Sequence, residues 1–110
     1  MKKDFAQGDI VIMDFMPTRG HEQNGRRPAI VLRNNSAAKV TNMVVVCPIT
    51  NTHNQHILHV PLDDRTKTTG VVLCEHVRSV DLAERNAIYA EQAPQDIIEL
   101  CIEKVCGMIE

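Results

Sequence analysis

The sequence has no tryptophan and only three aromatic residues, Phe5, Phe15 and Tyr89, among 110. A surface that reads planar groups with rows of stacked rings is therefore excluded; such recognition falls to hydrogen-bonding loops, with Phe15 as an exception. Long apolar runs are also missing. None approaches the roughly 18 residues that a membrane-spanning helix needs, so no membrane association is expected. The stretch Met1–Asp9 opens with Lys2 and Lys3 but has no apolar segment of the roughly 7 to 15 residues found in a secretory leader, so no export signal is expected. The four cysteines, Cys47, Cys74, Cys101 and Cys106, show no C-x-x-C spacing. That argues against a zinc site or a disulfide framework, and their apolar surroundings predict buried, reduced thiols in a cytoplasmic protein. No internal repeat or linker divides the chain. The length fits one domain spanning residues 1–110. Its core is adequate but too small to enclose a substrate, so chemistry is expected on an open face or in a groove between copies.

What the chain does have is an uneven distribution of charge. The net charge is −2, but residues 19–33 carry Arg19, Arg26, Arg27 and Arg33 against Glu22 alone, and residues 81–110 carry Arg85 and Lys104 against seven carboxylates. A compact arginine-rich segment on a mildly acidic body predicts a local anion site, unlike the broad basic face of a protein that coats nucleic acid. A solvated loop is the plainer alternative.

Alternation and β-branched content predict a strand over Asp9 to Phe15. Thr18 to Gly25 is polar, and its Asn24-Gly25 dipeptide marks a loop. Pro28 to Leu32 predicts a strand with proline at its first position, where no ladder donor is lost from the interior. Met43 to Cys47 is continuously apolar and predicts a central strand shielded on both faces, ended by Pro48-Ile49-Thr50. Ile57 to Leu62, Val71 to Cys74, Val77 to Val80 and Ala87 to Ala90 predict short strands, with a helical turn capped by Asp81 before the last. Pro94 suits a first helical position, and apolar residues recur at Ile97, Ile98, Cys101, Ile102, Val105, Met108 and Ile109. Short strands followed by one amphipathic helix predict a small, mainly β, barrel-like α+β fold.

Between Gly20 and Pro28 the chain sets an imidazole, a carboxylate, an amide and two guanidiniums beside a strand end. A guanidinium offers a planar fork of donors that fits two phosphate oxygens and keeps its proton at ordinary pH, so Arg27, fixed by Pro28, is a candidate phosphate clamp. An ion pair with Glu22 is the alternative use. His53, His56 and His59 suggest a metal cluster at first sight. A spacing of three along an extended segment alternates faces, however, so the imidazoles are not expected to converge and no metal is expected.

Gly8-Asp9-Ile10-Val11, Pro17-Thr18, Gly20-His21-Glu22-Gln23, Gly25, Arg27-Pro28, Pro48-Ile49-Thr50 and Thr69-Gly70-Val71-Val72 stand in an order and spacing that resembles the MazF/PemK/Kid toxin family. The resemblance spans residues 8 to about 82, with a matching C-terminal helix. It implies an SH3-like barrel of the CcdB/PemK type. It also implies a homodimeric toxin of a type II toxin-antitoxin system that cleaves single-stranded mRNA at short sequences and so inhibits translation and growth. No metal or other cofactor is implied, and the partners would be the RNA and a cognate antitoxin whose extended acidic segment occupies the same groove.

Carried over by motif, the principal catalytic pair falls on Arg27 and Thr50. The implied reaction is attack by the RNA's own 2′-OH on the adjacent phosphate, giving a 2′,3′-cyclic phosphate and a free 5′-OH. A fixed guanidinium and a threonine hydroxyl are suited to the charge that builds on the phosphate oxygens. Glu75 matches an acidic position that Kid-like relatives use as general base, with Glu22 second. Leu73 departs from the pattern, since Kid-like members carry there an arginine assigned as general acid. His21, in the Gly-His-Glu-Gln motif, is a candidate to donate a proton or hold RNA, against a structural role inside its loop. Phe15, Thr18, Arg19, Gln23, Arg26, Asn51 and Arg78 are the expected RNA contacts. Two other readings share the fold: a catalytically inactive RNA-binding barrel, and a toxin that inhibits gyrase through its C-terminal end.

Overall fold

The computed structural model describes residues 5–15, 25–33, 43–51 and 56–109. Among these residues the chain forms seven strands and one α-helix: β1 (Asp9–Asp14), β2 (Arg26–Arg33), β3 (Met43–Thr50), β4 (His59–Pro61), β5 (Val71–Leu73), β6 (Arg78–Asp81), β7 (Ile88–Gln92) and α1 (Gln95–Ile109). A single 3₁₀ turn, Cys74–His76, joins β5 to β6. The strands pair antiparallel in the order β4-β5-β3-β2-β1-β7, and β6 pairs with β3. The expected mainly β fold with a C-terminal helix is the one the chain adopts.

The unbroken apolar runs of the central strands follow from burial on both faces. Successive side chains of a strand point to opposite sides, so Ile30 and Leu32 join Ile10, Cys47, Ile49 and Val72 beneath Ile97, Ile98 and Cys101 of α1. Ala29 and Val31 instead join Val11, Met13, Val44, Val46 and Val80 on the other side. The helix stripe ends sooner than its sequence pattern, for Met108 and Ile109 are exposed. Cys106 is exposed as well, unlike the other three cysteines, and all four are free. It lies about two and a half turns beyond Ile97, which sets it on the face away from the sheet.

Several predicted boundaries shift. β3 does not stop before Pro48 but continues to Thr50. The strand pairs with β6 through Val46 and with β5 from Ile49 onward. Pro48 therefore sits where the partner changes, and its missing N–H is not needed on that side. β4 is shorter than predicted because Ile57 and Leu58 turn: the His59 N–H donates to the His56 carbonyl at 3.0 Å, and the Leu58 N–H donates to His56 Nδ1 at 3.1 Å. Cys74 leaves the predicted β5 for the 3₁₀ turn, and the last strand lies on Ile88–Gln92, paired with β1. At Asp81 the carboxylate does accept from the N–H of Ala83, at 3.0 Å.

Gly70 fixes how β5 meets β3. Its φ is +116°, and a Cβ there would collide with the Thr50 carbonyl oxygen. Only glycine lets the two backbones approach so closely, which gives the Thr69-Gly70-Val71-Val72 run a mechanical reason.

Candidate active site

An open pocket of about 580 Å³ has Gly25, Pro48 and Leu73 among its walls, and into it project Phe15, Arg27, Glu75, His76 and Arg78. Four separate constraints deliver the five. Arg27 lies on β2 opposite Met13 of β1. Phe15 follows β1 directly, tied by its N–H to the Gly25 carbonyl at 2.7 Å. Arg78 opens β6 across from Val46, with its guanidinium carbon 5.7 Å from the centre of the Phe15 ring. That is within cation–π range and holds two pocket walls together. Glu75 and His76 come from the 3₁₀ turn, which swings them out of the β5 strand line.

Glu75 is the best-anchored of these groups. His59 Nε2 donates to its Oε2 at 2.9 Å, with the His59 side chain 11% exposed. Burial pushes the Glu75 carboxyl up, but its own backbone N–H and the His59 bond outweigh that and leave it below the usual carboxylate range. The group is therefore an anion at neutral pH. Its Oε1 is enclosed and has no hydrogen-bond partner, as is also true of His59 Nδ1. An unpaired buried acceptor is costly, so this carboxylate is held in an arrangement that its folded surroundings do not fully satisfy.

Residues 6–109 match the family described as PemK-like, MazF-like toxin of type II toxin-antitoxin system. The chain belongs to that family. It is 35% identical over 101 residues to endoribonuclease PemK of Escherichia coli, covering 88% of this chain and 76% of that protein. It is 36% identical to endoribonuclease toxin ChpB of Escherichia coli strain K12, covering 99% and 97%. Among solved structures it is similar to MazF from Deinococcus radiodurans, with a TM-score of 0.85 and 33% identity over 98% of both chains. A MazE-MazF complex from that organism matches with a TM-score of 0.85 and 31% identity over 97% of each chain. Among the described residues no helix is long and apolar enough to cross a membrane.

Of the site residues expected from the family resemblance, Arg27, Glu75, Phe15 and Arg78 converge on the pocket. Thr50 does not line it. It ends β3, half-buried and paired with Val71. Ala29 pairs with Pro48, and two further steps along those antiparallel strands lead to Arg27 and Thr50, so the pair stands at adjoining strand ends. Asn51 accepts from the Thr69 hydroxyl at 3.3 Å and is likewise outside the pocket wall. Arg26 has a different use. It donates to Asp14 Oδ1 at 2.8 Å and to the carbonyls of Ile12 and Asn86 at 3.2 and 3.0 Å. Thr18, Arg19, His21, Glu22 and Gln23 lie outside the described residues, as does His53.

The histidine reading needs correction. His56 and His59 do converge, with ring centres 5.0 Å apart, because the turn at Ile57-Leu58 replaces the extended segment that the alternation argument assumed. Ligand-type atoms of His56, His59 and Glu75 lie within 4.8 Å of one another. Yet His59 presents a proton to Glu75, and His56 Nδ1 already accepts from Leu58. As it stands this is a hydrogen-bonded cluster. The residues that sequence reasoning missed are His59 and His76. His76 was legible as the neighbour of Glu75. His59 was not, because it reaches Glu75 only through the pairing of β4 with β5, which sets it across from Leu73.

Proposed function

We propose that this chain is an endoribonuclease toxin that cleaves single-stranded RNA without a metal, leaving a 2′,3′-cyclic phosphate and a 5′-OH. The observation that carries this reading is the convergence of a guanidinium, Arg27, and an anionic carboxylate, Glu75, on one open pocket. The family to which the chain belongs, and relatives named as endoribonucleases, support it. Glu75 takes the proton from the 2′-OH as that oxygen attacks phosphorus. Arg27 meets the charge that gathers on the phosphate oxygens, and the Thr50 hydroxyl donates to the same oxygens from the neighbouring strand end. Arg78 and Phe15 give the substrate a cationic and aromatic wall, which suits a nucleotide's phosphate and base.

The same reading includes a homodimer working in the cytoplasm. One chain of this length cannot enclose several nucleotides, whereas a groove between two copies would be long and would double the local arginines. A cognate antitoxin with an extended acidic segment would be drawn to the same charge, so it competes with RNA and both associations weaken as salt rises. Solved MazE-MazF complexes of a relative support an antitoxin partner.

The direct test is to incubate the purified protein with mixed RNA in the presence of EDTA and map the ends produced. Cyclic-phosphate and 5′-OH ends that Arg27→Ala fails to generate are the expected result. Intact but bound RNA would replace the enzyme with a binding protein, and RNA left intact and unbound would end the RNA reading altogether. Simultaneous, independent binding of antitoxin and a cleavage-resistant RNA would end the competitive reading.

A further inference from the structure

Cleavage of the kind proposed above needs a proton for the departing 5′ oxygen as well as a base for the 2′-OH, and the pocket's inventory of protons is short. Arginine side chains release a proton far less readily than an imidazole at ordinary pH, and Arg27 and Arg78 are already assigned to the phosphate and the substrate wall. Glu75 is anionic and accepts. Leu73, on the same wall, has no proton to give. Among the described residues lining the pocket, that leaves His76 as a side chain of a type that can both carry and release a proton near neutral pH.

We propose that His76 is the general acid of this site, donating to the 5′ oxygen as the phosphorus–oxygen bond breaks; the assignment rests on reading the pocket as an RNA-cleaving site. Its geometry suits the task. The side chain is 60% exposed and so reaches substrate, and its Nε2 lies 3.9 Å from Glu75 Oε2. One 3₁₀ turn therefore presents acid and base side by side, while His59, behind Glu75, holds the carboxylate in place. The charged groups facing His76 come from three elements: Glu75 on its own turn, Arg27 on β2 and Arg78 on β6.

The proton balance closes. Glu75 removes the 2′ proton while the 2′ oxygen bonds to phosphorus, and His76 delivers its Nε2 proton to the leaving 5′ oxygen. The products are the cyclic phosphate, a 5′-OH, a protonated Glu75 and a neutral His76. Transfer of the Glu75 proton to His76, across a gap that one water or a small swing of the exposed imidazole spans, restores the starting state with no net proton consumed.

The test compares two substrates of the same cleaved sequence: ordinary RNA, and RNA with sulfur in place of the bridging 5′ oxygen, whose thiolate departs without a proton. His76→Gln is expected to lose about 10²-fold or more in single-turnover rate on ordinary RNA. It should also lose the alkaline fall of the pH profile and come within about threefold of the parent protein on the sulfur substrate. Arg27→Ala should not be rescued by sulfur. A His76→Gln protein within threefold of the parent on ordinary RNA, or equally slow on both substrates, overturns the assignment. Rescue of His21→Gln but not of His76→Gln moves the proton donor to His21 and overturns it as well. If the parent protein cleaves neither substrate, the functional reading itself fails. If it cleaves both and only the His76 pattern is missing, that reading stands without this assignment.

Discussion

Two clusters of polar residues flank the same end of β1 and β2, and they treat charge in opposite ways. Around Asp14 every group has a partner. Arg26 is paired with the carboxylate, Asn86 donates to its other oxygen at 2.8 Å, and Arg85 donates to the Phe15 carbonyl at 2.8 Å. The bonds from Asn86 and Arg26 hold the Asp14 carboxyl below its usual range. Asn86 adopts φ 54° to complete the set, a backbone region that asparagine tolerates better than most residues. In the pocket, by contrast, Arg27 has no ion-pair partner among the described residues, and Glu75 keeps one oxygen without a donor. Arg26 and Arg27 are consecutive, yet strand alternation sends one into a closed network and the other to an open cavity. Satisfied polar groups stabilise, while groups left incomplete are the ones a ligand can complete.

The sharpest way to break this contrast is to exchange its consequences. Arg27→Ala is expected to lower cleavage by about 10²–10³-fold, the scale of losing a transition-state donor, with an unchanged thermal midpoint. Arg26→Ala should do the reverse, lowering the midpoint while cleavage stays within about threefold. Single-turnover rates and calorimetry on both proteins decide it, and a large loss of activity in Arg26→Ala would place that residue in the site after all.

A smaller effect separates Thr50 from the pocket wall. Thr50→Val keeps the shape and removes the hydroxyl, and a fall in turnover of at least about tenfold, or about 1.4 kcal/mol of barrier, is expected if it donates to the phosphate. Unchanged turnover would leave it a strand-end residue beside Gly70.

His59 tests whether the pocket's carboxylate is positioned from behind. His59→Phe removes one of the bonds that lower the Glu75 carboxyl and leaves burial, which raises it. The acid limb of the cleavage profile should therefore move to higher pH, with a loss in rate of several-fold. An acid limb that stays in place would make the His59 bond incidental to Glu75.

The smallest effect concerns stability. Because the folded Asp14 carboxyl lies below its unfolded value of about 3.9, its contribution is present above that pH and is lost as pH falls through the folded value. Asp14→Asn is expected to be less stable than the parent at neutral pH and to show a flatter decline in acid, measured by urea unfolding from pH 7 down to about 2.5. Parallel declines in the two proteins would mean that another carboxylate sets the acid limit. Glu91 is one such group. Burial raises it, but bonds from the Thr68 hydroxyl and the N–H groups of Thr68 and Lys67 hold it low.

Much of the fold was legible because its signals are local. β1 and β2 lie within a few residues of the alternating and apolar runs that predicted them, and α1 begins beside Pro94 as its first-turn pattern requires. The errors fell where a distant partner decides. Pro48 reads as a strand terminator until β3 is seen to exchange β6 for β5 around it. His56 and His59 read as divergent until the intervening turn brings their rings together.

The site divides along the same line. Which residue types were available is plain from their order along the chain: an arginine before a proline, a threonine ending Pro-Ile-Thr, and a glutamate preceded by Cys74 and followed by His76. Those are matters of order along the chain, and short-range sterics and alternation act on them directly. Folding settles the rest: which of two adjacent arginines faces the pocket, that His59 stands behind Glu75, and that Thr50 stops short of the wall. Each of these depends on which strands pair and in what register. Such pairing is set by contacts between segments far apart in sequence, where the free energy of a buried face outweighs any local preference.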